Sequence, residues 1–226
     1  MHGDKDSSFV YGAQDFSAQA IAYDQHSREF FVFGNRWPSA PGGSILFIHR
    51  YKAAGEFLGS TFPLPSEASA LGLEVYDQPI VQPMDGGDTP VWFMLPWEYQ
   101  VFGILPDGNT RVVFRAPKDF NGFRAPTTRL KVSNLAALQQ WLLTWTPVTA
   151  FSSDGNTLLV ETQCFCPAEY KADMWSLRTG APVTSFSTNW RVIGSVDHKY
   201  YFVHEGLSTQ DDSISYTVAR SKGSWQ

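Results

Sequence analysis

The chain has 226 residues, 43% of them apolar and 17% charged, with a net charge of −5. That composition belongs to a globular chain with a sizeable core and excludes a disordered one. The acidic balance and the lack of any Lys/Arg-rich run argue against a general electrostatic hold on nucleic acid or on an anionic membrane surface.

No apolar stretch approaches the roughly 18–20 residues of a membrane span. The opening "MHGDKDSSFV" has no apolar signal region. The expectation is therefore a cytoplasmic protein, or a secreted or periplasmic one if a signal has been trimmed. Cys164 and Cys166 are too few for a disulfide scaffold. Aromatic residues make up 15% of the chain, and they suit pleated, half-buried surfaces.

In chain order the first paired runs are "AIAY" and "EFFVF" around the polar "DQHSR". "SILFIHRY" and "EFLGSTF" follow, turning at Gly55. Each pair is a β-hairpin signature, and two successive hairpins make a unit of four antiparallel strands. A second unit is expected to begin near Leu71 and to end with "YQVFGIL" and "TRVVF" around Asp107-Gly108.

Between that unit and Val148, "SNLAALQQWLLTW" (133–145) predicts a helix, with Ser133 as N-cap and Leu135, Leu138, Leu142 and Trp145 on one face. The preceding "FRAPTTRLKV" is either a degenerate blade or part of this insertion. "VTAF" and "TLLVE" around Asp154-Gly155 open a third unit at Val148, and "ADMWSL" with "APVTSF" closes it. A fourth begins at Arg191 with "RVIGSV", "YYFVH" and "SISYTVAR". The N-terminal residues Phe9 and Tyr11 are expected to supply a closing strand to this last unit.

The tetrapeptide Asp-Gly-Asn-Thr occurs twice, at 107–110 and 154–157. One copy joins the second hairpin of its unit and the other joins the first, so the real repeat is the hairpin pair. Four-stranded units in series are the trace of a β-propeller, each unit a blade.

Residues 148–186 resemble a WD40-type blade in phase: apolar strand, Ser-Asp-Gly turn, apolar strand, loop, then Trp175 and the Thr179-Gly180 turn. Ser176 stands where that family usually has Asp after the Trp, and no Gly-His pair opens a blade. The first unit is similar to NHL or lactonase-like propellers. Both likenesses imply propeller architecture. The fold class expected is all-β and propeller-like, four or five recognisable four-stranded antiparallel blades with one helical insertion, in a single domain over 1–226.

Enzyme signatures for nucleophile elbows, zinc-protease helices and phosphate loops are missing. His26 and His198 follow Asp in turns, where a polar bend explains them better than an acid–histidine pair. Cys164 and Cys166 read as free thiols near a loop. No catalytic residue, metal ligand or cofactor is assigned.

The loops joining second and third strands open on one end of a propeller. Here they carry Asn35, Arg36 and Trp37; Trp97 and Glu98; Glu169 and Tyr170; Glu205, Asp211 and Asp212. Trp37 and Trp97 are either exposed anchors or rings folded back between blades. The functional expectation is a non-catalytic binding module that takes a protein partner ahead of a carbohydrate. The alternative is a propeller hydrolase or lactonase-like enzyme with acidic residues, and a divalent metal, in the central pocket.

Overall fold

A computed structural model describes residues 18–37, 43–73, 78–84, 87–129, 135–165, 168–207 and 214–221. The first sheet runs in order through β1 (Ala20–Asp24), β2 (Glu29–Arg36), β3 (Leu46–Lys52) and β4 (Phe57–Pro63). A short helix α1 (Ser66–Leu71) leads to the second sheet: β5 (Ile80–Pro83), β6 (Val91–Met94), β7 (Gln100–Ile104) and β8 (Thr110–Arg115).

Helix α2 (Leu135–Leu142) precedes the third sheet, of β9 (Val148–Ser153), β10 (Thr157–Phe165), β11 (Ala168–Ser176) and β12 (Pro182–Thr188). The fourth sheet has three described strands, β13 (Arg191–Val196), β14 (Lys199–Leu207) and β15 (Ile214–Arg220). Every pairing is antiparallel between consecutive strands. This is a blade-like all-β fold.

Three unit starts fall where the hairpin signals put them, at Ala20, Val148 and Arg191. The second differs. The stretch ending at Leu71 is helical, and the sheet starts at Ile80. Ser66-Glu67 at the start of that stretch is a helix opening, with an acidic side chain in the first turn favoured by the helix dipole. The predicted helix over 133–145 is observed as Leu135–Leu142, while Ser133 lies outside the described residues. Residues 116–129 hold no strand, so no fifth blade forms there among the described residues. The closing-strand residues Phe9 and Tyr11 also lie outside them.

The two Asp-Gly-Asn turns have the same local geometry in non-equivalent hairpins. Asp107 Oδ1 accepts the Asn109 N–H at 2.8 Å, and Asp154 Oδ1 accepts that of Asn156 at 2.9 Å. Gly108 and Gly155 both sit at φ 89°, in the left-handed region that only glycine occupies without strain.

The first strands of the sheets, β1, β5, β9 and β13, lie side by side in chain order. No comparably close approach joins β13 back to β1 among the described residues. Between the first two sheets the core is aromatic: Phe93 packs against Phe33, Phe62 and Phe102 with ring centroids 5.1–5.4 Å apart. Trp141 and Trp145, from α2 and the turn after it, extend that cluster.

Between the second and third sheets Trp175 is buried against Phe114, Phe120 and Tyr99. A polar chain threads this seam. Trp175 Nε1–H donates to the Tyr99 hydroxyl at 3.0 Å, and that hydroxyl donates to Asp173 at 3.2 Å.

Candidate functional site

The loop residues singled out in the sequence divide sharply by environment. Trp37 follows β2 and is 56% exposed. Trp97, its counterpart in the second sheet, is 5% exposed and belongs to the core between the first two sheets. As an exposed anchor Trp97 is therefore corrected to a core plug. The turn from Leu95 to Tyr99 is too short to project an indole, and the Leu95 carbonyl accepts the Glu98 N–H to close it.

Asn35 is also buried, and Arg36 is tied into its own sheet. Its guanidinium donates to Ser60 Oγ at 3.2 Å and lies 5.4 Å from the Phe57 ring centroid. Glu169 is exposed beside Cys164 in the β10–β11 register. Tyr170 is half-buried beneath the Arg191 guanidinium. Glu205 is exposed and faces Tyr216 across β14 and β15. Asp211 and Asp212 lie outside the described residues. No hydrogen bond or ion pair among the described residues joins one of these candidates to another on a different sheet.

Trp97 and Glu98 do share a shallow cleft of about 540 Å³ with Gln100, Arg115, Phe62 and Phe123. Burial pushes the Glu98 carboxyl above its usual range, against the opposing pull of the Arg115 guanidinium. Arg115 is itself bonded to Gln100. The buried Trp97 Nε1–H has no hydrogen-bond partner among the described residues.

At the opposite end of the sheets, the first-hairpin turns line two further clefts of about 380 and 520 Å³. Asp24, His26, Asp154, Asp197 and His198 sit there, as the enzymatic alternative requires of an acidic centre. The Asp24 and Asp154 carboxylates are turned onto their own loops. Asp24 accepts the His26 and Ser27 N–H groups and the Ser27 hydroxyl. Burial works against the Asp24 charge, and those bonds outweigh it and hold the group below its usual range. Asp154 accepts from Asn156 and Thr157. Among the described residues no three His, Cys, Asp or Glu side chains are grouped to hold a metal. His49 is buried between Ser60 Oγ and the Gly34 carbonyl, both at 2.8 Å, and burial lowers its basicity.

The feature that the loop survey missed is a whole sheet face. Strand register puts Tyr201, Val203, Tyr216 and Val218 of β14 and β15 on one side, with Ile214 beyond them and Val196 of β13 on the same side. Ile193 stands at the β13 bulge. Five of these seven are half-exposed or more: Ile193, Val196, Ile214, Tyr216 and Val218, at 50–65%.

The other side of the sheet carries Ser215 and Thr217, which are exposed, and Tyr200 and Phe202, which meet the third sheet. Tyr200 is fully buried there. An isolated edge sheet normally turns its polar side to water. In β15 both sides reach water: Ile214, Tyr216 and Val218 are exposed on one, Ser215 and Thr217 on the other, and only Ala219 is half-buried. A contiguous exposed apolar face is a signature of an interaction surface.

The sequence matches no protein-family model and no curated protein. Among solved structures, the chain is similar to one from a structural and mechanistic analysis of two prolyl endopeptidases, at 14% identity and a TM-score of 0.39. The match covers 93% of this chain and 36% of the other, so the chain spans about a third of that protein's length. No helix among the described residues is long and apolar enough to cross a membrane.

Proposed function

We propose that this protein is a non-catalytic interaction module that binds a protein partner through the outer face of its fourth sheet. The reading rests on one observation: the side of the last sheet that faces away from the third carries exposed apolar residues, with Tyr216 and Val218 at 65% and 60% exposure. Tyrosine and branched aliphatic side chains on a pre-ordered sheet lose little freedom on contact, which suits them to anchor a protein surface. Glu205, opposite Tyr216 in the strand register, adds a charge to this face, and Glu169 stands on the neighbouring third sheet. The third sheet is taken as a WD40-type blade, in which Trp175 serves as a core plug.

A photo-crosslinking phenylalanine analogue at Tyr216 tests the reading. We expect an adduct of raised mass whose crosslinked peptide maps to one contiguous protein surface, and none from the same group at Arg178, on the β11–β12 turn. If Tyr216 yields no specific adduct, alone or in cell extract, the face is not an interface.

A further inference from the structure

Resting on that reading, we infer that the occupant of the face is a second copy of this chain, packed sheet on sheet with its strands reversed. The charges on the face are arranged for it. Lys199 lies at the β13–β14 turn, and Arg220 pairs with Tyr201 near the same end of the sheet. Glu205 lies further along β14, beyond the Val203–Val218 pair. None of these three takes part in an ion pair among the described residues.

One end of the apolar face therefore carries Lys199 and Arg220, with Asp197 in the adjoining turn, and Glu205 lies toward the other. A two-fold axis in the plane of the contact, at right angles to the strands and level with the Val203–Val218 pair, brings Arg220 of each copy over the Glu205–Tyr216 pair of the other. The same operation lays Val203 and Val218 on their own counterparts. A two-fold contact requires such self-complementarity, because one patch must serve both sides. A parallel arrangement would set like charges together.

The size of the face sets the strength. Three strands at about 4.8 Å spacing and seven residues at about 3.3 Å rise give a patch roughly 14 Å by 23 Å. Two such faces cover roughly 650 Å² together, below the standard specific interface and in the class of weak, concentration-dependent contacts. The dimer is expected to form in the micromolar range and to dissociate on dilution.

Sedimentation of the purified chain from about 5 to about 500 µM, the range such a contact spans, tests this. Wild type is expected to shift from monomer to dimer. Val218→Arg, Arg220→Glu and Glu205→Lys, all at exposed positions, are each expected to weaken association tenfold or more. Mixing the last two variants is expected to restore it as a heterodimer, since each then presents the charge the other lacks. A wild type that stays monomeric at the highest concentration overturns the second copy. So does a dimer indifferent to Val218→Arg, or one that the mixture fails to restore.

The Tyr216 crosslink separates this failure from that of the underlying reading. An adduct at twice the chain mass from purified protein supports the second copy. An adduct formed only in extract, with a different chain, overturns the second copy and leaves the interaction face standing.

Discussion

The seam between the first two sheets and the seam between the last two hold together by different physics. At the first, four phenylalanines interlock edge to face and stacked, with Phe33 and Phe93 fully buried. Arg50 spans the same seam, donating to the Pro106 and Asp107 carbonyls and pairing with Glu29 at 2.8 Å.

At the last seam the apolar cluster is small, and directional bonds do much of the joining. The fully buried Glu161 accepts the Val192 N–H at 2.7 Å and the Thr149 hydroxyl at 2.7 Å. Tyr200 bonds to Thr157, and Ser195 bonds to Ser152 and Ser153. The fourth sheet thus meets its neighbour through these bonds and a few apolar side chains, Val192, Tyr200 and Phe202, and leaves Val196, Tyr216 and Val218 outside. A sheet built this way is positioned by its neighbour yet keeps its largest hydrophobic gain for a contact elsewhere.

The largest effect is expected where the seam is dry. Phe93→Ala removes a ring from the middle of the aromatic cluster and should cost about 3–5 kcal/mol of unfolding free energy, through lost transfer energy and the cavity left behind. Trp97→Ala belongs to the same class, because its ring sits in that core. Denaturant unfolding checks both. A loss under about 1 kcal/mol for Trp97→Ala would return that ring to the surface role its loop suggested.

Next comes Glu161. Removing the carboxylate in Glu161→Ala leaves the buried Val192 N–H without its acceptor, which should cost about 2 kcal/mol. Glu161→Gln keeps an acceptor for Val192 and should cost much less. The pair also carries a pH signature. Burial raises the Glu161 carboxyl above its usual range, against bonds from Thr149 and Val192 and the nearby Arg191.

The folded state therefore holds this proton more tightly than the unfolded chain. Glu161 makes its best contribution below the unfolded carboxylate value, and stability drains away as pH rises through the raised folded one. Relative to wild type, Glu161→Gln should gain stability as pH climbs through that window. A difference between the two that is flat with pH would show Glu161 to be ordinarily solvated.

What the sequence made legible follows from what repeats. Hairpins announce themselves locally, by alternation and by Asp-Gly turns that need positive φ, so Ala20, Val148 and Arg191 were placed as unit starts. Leu71 was misplaced because the apolar content of 68–73 serves a helix packed against the first two sheets. Burial of the loops was not readable. Trp37 and Trp97 both sit beside proline, and only the length of the loop around each decides which ring reaches water.

The bare face was half legible. Ile214, Tyr216 and Val218 alternate with Ser215, Thr217 and Ala219 in the sequence. Period-two patterning tells the two faces apart but not which one looks outward. That is decided by Tyr200 and Phe202 on the neighbouring strand, which are drawn into the third sheet.

A smaller effect is expected at Tyr200. Its hydroxyl lies 2.6 Å from Thr157 Oγ1 and donates to the Thr157 carbonyl at 3.1 Å. Burial pushes this phenol well above its usual range, so it stays a neutral donor throughout the working range. Tyr200→Phe keeps the ring and loses the bonds, and should cost about 1 kcal/mol in the same unfolding measurement. A loss as large as that of Phe93→Ala would mean the polar seam is as deeply coupled as the aromatic one.

The smallest effect is expected one strand away, on the opposite face of the same sheet. Val218→Thr exchanges one β-branched residue for another of nearly equal shape, so strand preference is kept. Because Val218 is 60% exposed, most of its surface already meets water in the monomer, and the hydroxyl does so with little desolvation cost. In dilute protein the change should lie within about 0.5 kcal/mol. Concentrated protein should respond differently, since a hydroxyl placed inside a contact would go unpartnered, and the variant should lose the extra stability that wild type gains there. Thermal unfolding of both chains at low and high concentration measures the contrast. Equal shifts at the two concentrations would mean that nothing covers Val218, and a large loss in dilute protein would mean that the face is buried within the monomer.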